Sequence, residues 1–174
     1  MSQQEFIKAI AYHKDLLNKF PDSTGVLINL GQAYARNGQE QESVTIYERL
    51  SRMLPGDKMV YNNLGMLYTQ MGKYADAVKA LEHGLAIEPK DAYLLNNCGY
   101  AVFKTKDYAK ALKLINESIA ENNTNPYAYR NRALVYMGLK LNREACNDLA
   151  ASSELGFKMY YGNEVEELQK KYCK

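Results

Sequence analysis

The sequence is poor in the residues on which metal centres, disulfide frameworks and most active sites depend. Its 174 residues include no Trp, three Cys, two His and four Pro. Three cysteines are too few for a disulfide scaffold, and they form no C-x-x-C pair or Cys/His cluster with metal-site spacing. No Gly-rich phosphate loop follows a strand-like segment. We therefore expect no metal, no cofactor and no enzymatic activity.

A strong net charge and long apolar runs are lacking as well. The formal net charge is +2, with acidic and basic residues interspersed, which does not favour nucleic acid or an anionic membrane as partner. No apolar run approaches the roughly 18 residues needed to span a bilayer, and residues 1–19 lack a signal-peptide cleavage site. We expect a soluble protein, cytoplasmic as the chain stands, or periplasmic if an upstream signal peptide was removed.

What the chain has is a repeat with a period of 34 residues. The best-defined copy, residues 58–91, is marked by Tyr61, Leu64, Gly65, Tyr68, Ala77, Leu81, Gly84 and Pro89. The same positions one period upstream hold Leu27, Leu30, Gly31, Tyr34, Ser43, Tyr47, Leu50 and Pro55. The copies downstream are weaker, because Asn123 replaces the closing Pro in one and Arg132-Ala133 replaces Leu-Gly in the other. Such a period is typical of stacked helix pairs.

The pattern resembles the tetratricopeptide repeat, in which an aromatic, Leu-Gly and Tyr mark a first helix and Ala, an aromatic and Pro mark a second. The resemblance covers nearly the whole chain and implies an all-α fold, an α-solenoid of antiparallel helix pairs wound into a superhelix. Residues 145–173 look like the tails of certain bacterial members. We predict a single domain, 1–174, made of a half repeat (1–23), four repeats (24–57, 58–91, 92–125, 126–159) and a capping helix (160–174).

The two ends of the array carry further predictions. Gln3 to Lys19 reads as an amphipathic helix, either a native cap or the start of a piece of a longer protein. After Gly156 we expect a loop, and Asn163 with Glu166 reads as a capping box that opens the last helix.

Cys146 and Cys173 are expected to come close together. If the last helix folds back antiparallel on its predecessor, with the pivot near Lys158 or Met159, Cys173 lies opposite about residue 144, within about one helical turn of Cys146. A disulfide requires Cα atoms within about 7 Å and an oxidising compartment. The alternative is two reduced thiols. Cys98 takes a position filled by Leu in other repeats and is expected to be a small buried hydrophobe.

In this family the first helix of each pair lines the concave side of the superhelix. One Asn recurs there in each repeat, at Asn29, Asn63, Asn97 and Asn131. Amide side chains can hydrogen-bond successive peptide groups of an extended ligand, and the pattern resembles the asparagine ladder of the O-linked N-acetylglucosamine transferase array. The alternative is that these amides bond only locally. The Lys, Asn and Arg set with which chaperone-binding members hold a terminal carboxylate is absent.

The other predicted groove residues are Asn62, Asn96, Met59, Met66, Tyr93, Tyr100, Phe103, Tyr127 and Arg130. Tyr and Met suit adaptable recognition, because they offer large contact areas that can repack. We predict a protein–protein interaction module that binds an extended peptide or a partner's helix, as an adaptor or assembly scaffold, and that is a monomer or a weak homo-oligomer. The alternatives are a self-associating structural array and the recruiting arm of a larger enzyme.

Overall fold

The computed structural model describes residues 3–173, apart from the side chain of Tyr160. Within that range the chain forms eleven helices and no strand, which confirms the all-α prediction. The helices are α1 Gln3–Lys19, α2 Thr24–Arg36, α3 Glu40–Met53, α4 Lys58–Gln70, α5 Tyr74–Ile87, α6 Ala92–Lys104, α7 Tyr108–Glu121, α8 Pro126–Gly138, α9 Asn142–Glu154, α10 Phe157–Tyr161 and α11 Glu164–Tyr172.

The helix boundaries follow from local capping chemistry. Asp57, Asp91 and Asn125 each accept a hydrogen bond from the backbone N–H two residues ahead, at 2.8 to 3.0 Å. These bonds satisfy amide donors that the first turn of a helix leaves without an intrahelical partner. The helices α4, α6 and α8 begin directly after these caps, at the first residues of three predicted repeats.

The turn between the two helices of a pair requires a left-handed residue. Gly38 and Gly72 supply it in the first two pairs, with φ of 75° and 73°. Lys106 and Lys140 adopt the same conformation in the next two pairs, with φ of 69° and 62°. A side chain disfavours this region by about 1–2 kcal/mol, so the turn geometry is kept although its glycine is not.

The chain divides into two compact units, with the boundary between Ile87 and Glu88. The first unit contains α1 to α5. Its core consists of Leu27, Val44, Tyr47, Leu50, Val60, Leu64, Leu67 and Ala80. Helices α4 and α5 approach closely at Gly65, where an added Cβ would lie 2.3 Å from Cγ of Leu81. The repeated glycine is therefore required by packing.

The second unit contains α6 to α11 and packs in a similar way. An added Cβ at Gly99 would lie 2.5 Å from Cγ1 of Ile115. Hydroxyls tie the second helix of each pair to the start of the first, because Ser118 donates to the carbonyl of Ala92 at 2.7 Å and Ser152 donates to that of Pro126 at 2.8 Å.

An ion pair replaces an apolar contact between α8 and α9. Arg132 occupies the position of Leu30 and Leu64, and its Nε and Nη2 atoms donate to the two carboxylate oxygens of Asp148, each at 2.7 Å. Asp148 is only 6% exposed. The hydrogen bonds to Asp148 raise the pKa of the Arg132 guanidinium. The departure from Leu-Gly is thus matched by a carboxylate on the partner helix.

The C-terminal segment differs in two respects from the prediction. The prediction of a loop after Gly156 is wrong. Gly156 turns the chain with φ of 83°, and the short helix α10 follows it. Phe157, 1% exposed, packs there against Leu149 and Val165, so apolar burial favours the extra turn. The capping box is also wrong. Asn163 has φ −89° and ψ 5° rather than an extended conformation, and its side chain makes no cap hydrogen bond.

The last helix, α11, packs against α9. Cys146 and Cys173 are joined by a disulfide with an S–S distance of 2.02 Å and a Cα–Cα distance of 5.6 Å. Cys98 is completely buried, as predicted.

Candidate functional site

In the first unit, the predicted groove residues lie on α2 and α4. Met59 and Met66 are 53% and 44% exposed, although both are apolar. The Nδ2 of Asn62 donates to the Met66 sulfur at 3.7 Å, which holds that thioether along the helix. Asn29 is exposed and Asn63 is half-buried. This face combines flexible apolar side chains with accessible amides.

In the second unit, α6 and α8 lie side by side and their amides join them. The Nδ2 of Asn131 donates to Oδ1 of Asn96 at 2.9 Å, and the Nδ2 of Asn96 donates to Oδ1 of Asn97 at 3.4 Å. Asn96 and Asn131 are each 4% exposed, whereas Asn97 is half-buried. Most of the hydrogen-bonding capacity of the two buried amides is therefore used inside the protein, where they fix α6 against α8.

Arg130 continues this network towards the C-terminal segment. Its Nη1 donates to Oδ1 of Asn131 at 2.7 Å, and its guanidinium carbon lies 5.4 Å from the centre of the Tyr100 ring. The remaining edge of the guanidinium faces Glu164 of α11, with Nε donating to Oε2 at 3.1 Å and Nη2 donating to Oε1. The Arg130 side chain is only 12% exposed, so this two-point pairing compensates for its burial.

The aromatic residues of the face fall into two groups. Tyr93 is 62% exposed at the start of α6, while Tyr100 and Phe103 are half-buried with ring centres 6.2 Å apart. Tyr127 packs against Tyr161 of α10, with ring centres 4.2 Å apart. Burial raises the pKa of the Tyr127 phenol, and the neighbouring Tyr161 phenol adds to this shift.

Tyr161 and Glu164 are not among the groove residues predicted from the sequence. Both come from the segment in which a loop and a capping box were expected. Only the return of this segment onto α8 brings them to Tyr127 and Arg130. The paired residues are 34 positions apart, which is the repeat period, so Tyr161 and Glu164 take the same repeat positions as Tyr127 and Arg130 one period later.

None of the helices formed by residues 3–173 is long and apolar enough to cross a membrane. Within residues 3–173, no cluster of three or more His, Cys, Asp and Glu side chains has an arrangement that would hold a metal ion.

Residues 1–154 match the family model described as "Psidin, N-terminal TPR repeats region". No curated protein sequence matches the chain significantly.

Solved structures of helix-pair arrays are similar to this chain. The crystal structure of MamA has a TM-score of 0.75 and 21% sequence identity, and the match covers 98% of this chain and 88% of the MamA chain. TTC0263, a thermophilic TPR protein in Thermus thermophilus, has a TM-score of 0.75 and 17% identity, and the match covers 97% of this chain and 89% of the TTC0263 chain. The first TPR of Spaghetti (RPAP3), bound to HSP90 peptide SRMEEVD, has a TM-score of 0.58 and 25% identity, with coverage of 67% and 94%. These likenesses confirm the predicted fold.

Proposed function

The chain belongs to the tetratricopeptide repeat family, and on that premise we propose that it binds an extended peptide or a partner's helix on the first-helix faces described above. The proposed role is that of an adaptor or assembly scaffold without catalytic activity. The observation that carries the proposal is the second-unit face, where the exposed Tyr93 lies on a helix that buried amides hold against α8. Fold alone does not define function, so the proposal depends on these residues.

In the proposed mechanism, Tyr and Met side chains supply contact area and Asn side chains supply hydrogen bonds. Tyrosine offers a large contact area at a small entropy cost, and thioethers adapt to different ligand shapes. On the second-unit face, Asn97 is proposed to hydrogen-bond the peptide groups of a bound ligand, and on the first-unit face Asn63 is proposed to do the same. Asn96 and Asn131 are proposed to act indirectly, by keeping α6 and α8 in register. A module of this kind binds with an affinity on the order of micromolar.

The test is selection of random ten-residue peptides on the full chain, followed by fluorescence anisotropy with the selected peptides. Tyr93→Ala is expected to weaken binding at least about tenfold, as truncation of an interface aromatic commonly does. Its matched control is Tyr12→Ala, because Tyr12 on α1 is also 62% exposed. Asn97→Ala should weaken binding severalfold, whereas Asn147→Ala on α9 should not. Equal affinities for the Tyr93 and Tyr12 variants would contradict the proposal.

Self-association is a second candidate, and one observation favours it. None of the residues described in α1 is buried, and Ile7 and Tyr12 of α1, with Phe20 just after it, are 55%, 62% and 59% exposed. A second copy could cover this apolar surface. Light scattering with gel filtration decides between a monomer and a dimer, and Ile7→Ser together with Phe20→Ser should abolish any dimer formed through α1.

A further inference from the structure

The C-terminal segment places two side chains on the face of α8. The ring of Tyr161 lies against Tyr127, and the carboxylate of Glu164 pairs with the guanidinium of Arg130. Tyr127 and Arg130 are three residues apart on one helix, so they present adjacent side chains. Tyr161 and Glu164 are also three residues apart. The ring and carboxylate of Tyr161 and Glu164 thus have the same order and spacing as the ring and guanidinium of Tyr127 and Arg130.

The Arg130 side of this contact is a built site. Asn131 accepts from Nη1, and the Tyr100 ring lies against the guanidinium, which fixes its plane. The edge that faces Glu164 presents Nε and Nη2, two donors that one carboxylate can accept together. A planar donor pair held in this way selects Asp or Glu over neutral side chains.

The groups that fill the site are exposed, whereas their neighbours anchor the segment. Tyr161 and Glu164 are each 45% exposed. By contrast, Phe157 and Val165 on either side are 1% and 2% exposed. Rotation of the two exposed side chains can therefore uncover Arg130 and the side of the Tyr127 ring that Tyr161 covers, while Phe157 stays docked against the Tyr127 ring.

We propose that Tyr127 and Arg130 bind a partner peptide that presents an aromatic residue and, three residues later, Asp or Glu. Tyr161 and Glu164 occupy this site as a competitor within the same chain. The inference rests on the proposed function and adds to it the class of ligand. An internal competitor that fills a site nine-tenths of the time lowers the apparent affinity for the ligand about tenfold.

The experiment uses the segment's own sequence as the probe. A fluorescent, end-capped peptide of residues 157–166 is titrated with the full-length chain and with the double variant Tyr161→Ala/Glu164→Gln. The variant is expected to bind the probe about tenfold more tightly, because its site is no longer filled. The matched control, Tyr172→Ala/Glu167→Gln, removes the same two kinds of group from exposed positions of α11 and should bind as the unaltered chain does.

A second probe tests the carboxylate. The same peptide carrying Gln in place of its Glu164 should lose most of the gain, and so should the double variant when Arg130→Gln is added. If the double variant does not keep its helical circular dichroism, Glu164→Gln alone is used, with an expected gain of about threefold. Equal binding by variant and control, or equal binding of the two probes, overturns the inference.

These outcomes are separable from failure of the proposed function. Selected peptides that depend on Tyr93, together with a probe that does not distinguish variant from control, overturn only the present inference. Absence of binding by selected peptides and by the probe overturns both.

Discussion

Reduction of the disulfide between Cys146 and Cys173 is expected to lower the free energy of unfolding of the second unit by about 3.5 kcal/mol. The two cysteines are 27 residues apart in sequence. In the chain-entropy model, closing a loop of this length removes about 12 cal/mol/K from the unfolded chain, which corresponds to about 3.5 kcal/mol at 25 °C. The effect thus arises mainly in the unfolded state.

The folded state is expected to survive reduction. Val165 of α11 packs in one cluster with Leu149 and Phe157, and it is 2% exposed. Burial of a valine side chain contributes about 1.5–3 kcal/mol, so α11 keeps an apolar anchor when the sulfur bond is cut. Circular dichroism of the reduced protein at 25 °C should therefore be unchanged.

The assay is urea unfolding with and without a phosphine reductant. With a typical slope of about 1–3 kcal/mol/M, the loss of about 3.5 kcal/mol should lower the urea midpoint of the second unit by roughly 1.2–3.5 M. Cys146→Ser/Cys173→Ser is the control, because its midpoint should be low and insensitive to reductant. Mass spectrometry must show that reduction adds two hydrogens. An unchanged midpoint after verified reduction would refute this reasoning.

Three other perturbations give measurable effects. Burial raises the pKa of Tyr47 to about 12. The unfolded chain therefore loses this proton at a lower pH than the folded chain, and the free energy of unfolding should fall by on the order of 2 kcal/mol as pH rises from 10 to 12. Tyr47→Phe should reduce that fall in urea titrations. Arg132→Leu leaves Asp148 buried without its partner and should cost about 3–5 kcal/mol in thermal unfolding. Gly99→Ala forces Ile115 to move and should cost about 1–3 kcal/mol in the same assay.

Each of these has a matched control. Stability of the Tyr47 variant should equal that of the unaltered chain at pH 7, and an identical pH dependence would contradict the assignment. Arg132→Leu combined with Asp148→Leu should recover most of the loss; full cost in the double variant would argue against the pair. Gly25→Ala has no atom within 4 Å of the new methyl, so it should not destabilise by packing, and equal costs at positions 25 and 99 would contradict the steric argument.

The sequence alone determined the elements and their order. The 34-residue period, the Asp and Asn caps and the glycine turns are local signals, because each acts through residues within about one turn of a helix. Helices α4, α6 and α8 accordingly begin directly after Asp57, Asp91 and Asn125. The close packing at Gly65 and Gly99 is consistent with the sequence pattern, because both glycines occupy the same repeat position at a helix crossing.

Tertiary structure decided which polar groups meet. Asn96 and Asn131 belong to a pattern that reads equally well as a ligand contact or as a local bond, and only the approach of α6 to α8 directs them to each other. The pairing of Arg130 with Glu164 likewise depends on the path of the C-terminal segment, which buries Phe157 before it turns back. Hydrogen bonds and ion pairs require atoms within about 3 Å. A helical pattern in the sequence places side chains on one face of a helix. The distance between two polar atoms is set by the packing of elements that are far apart in the sequence.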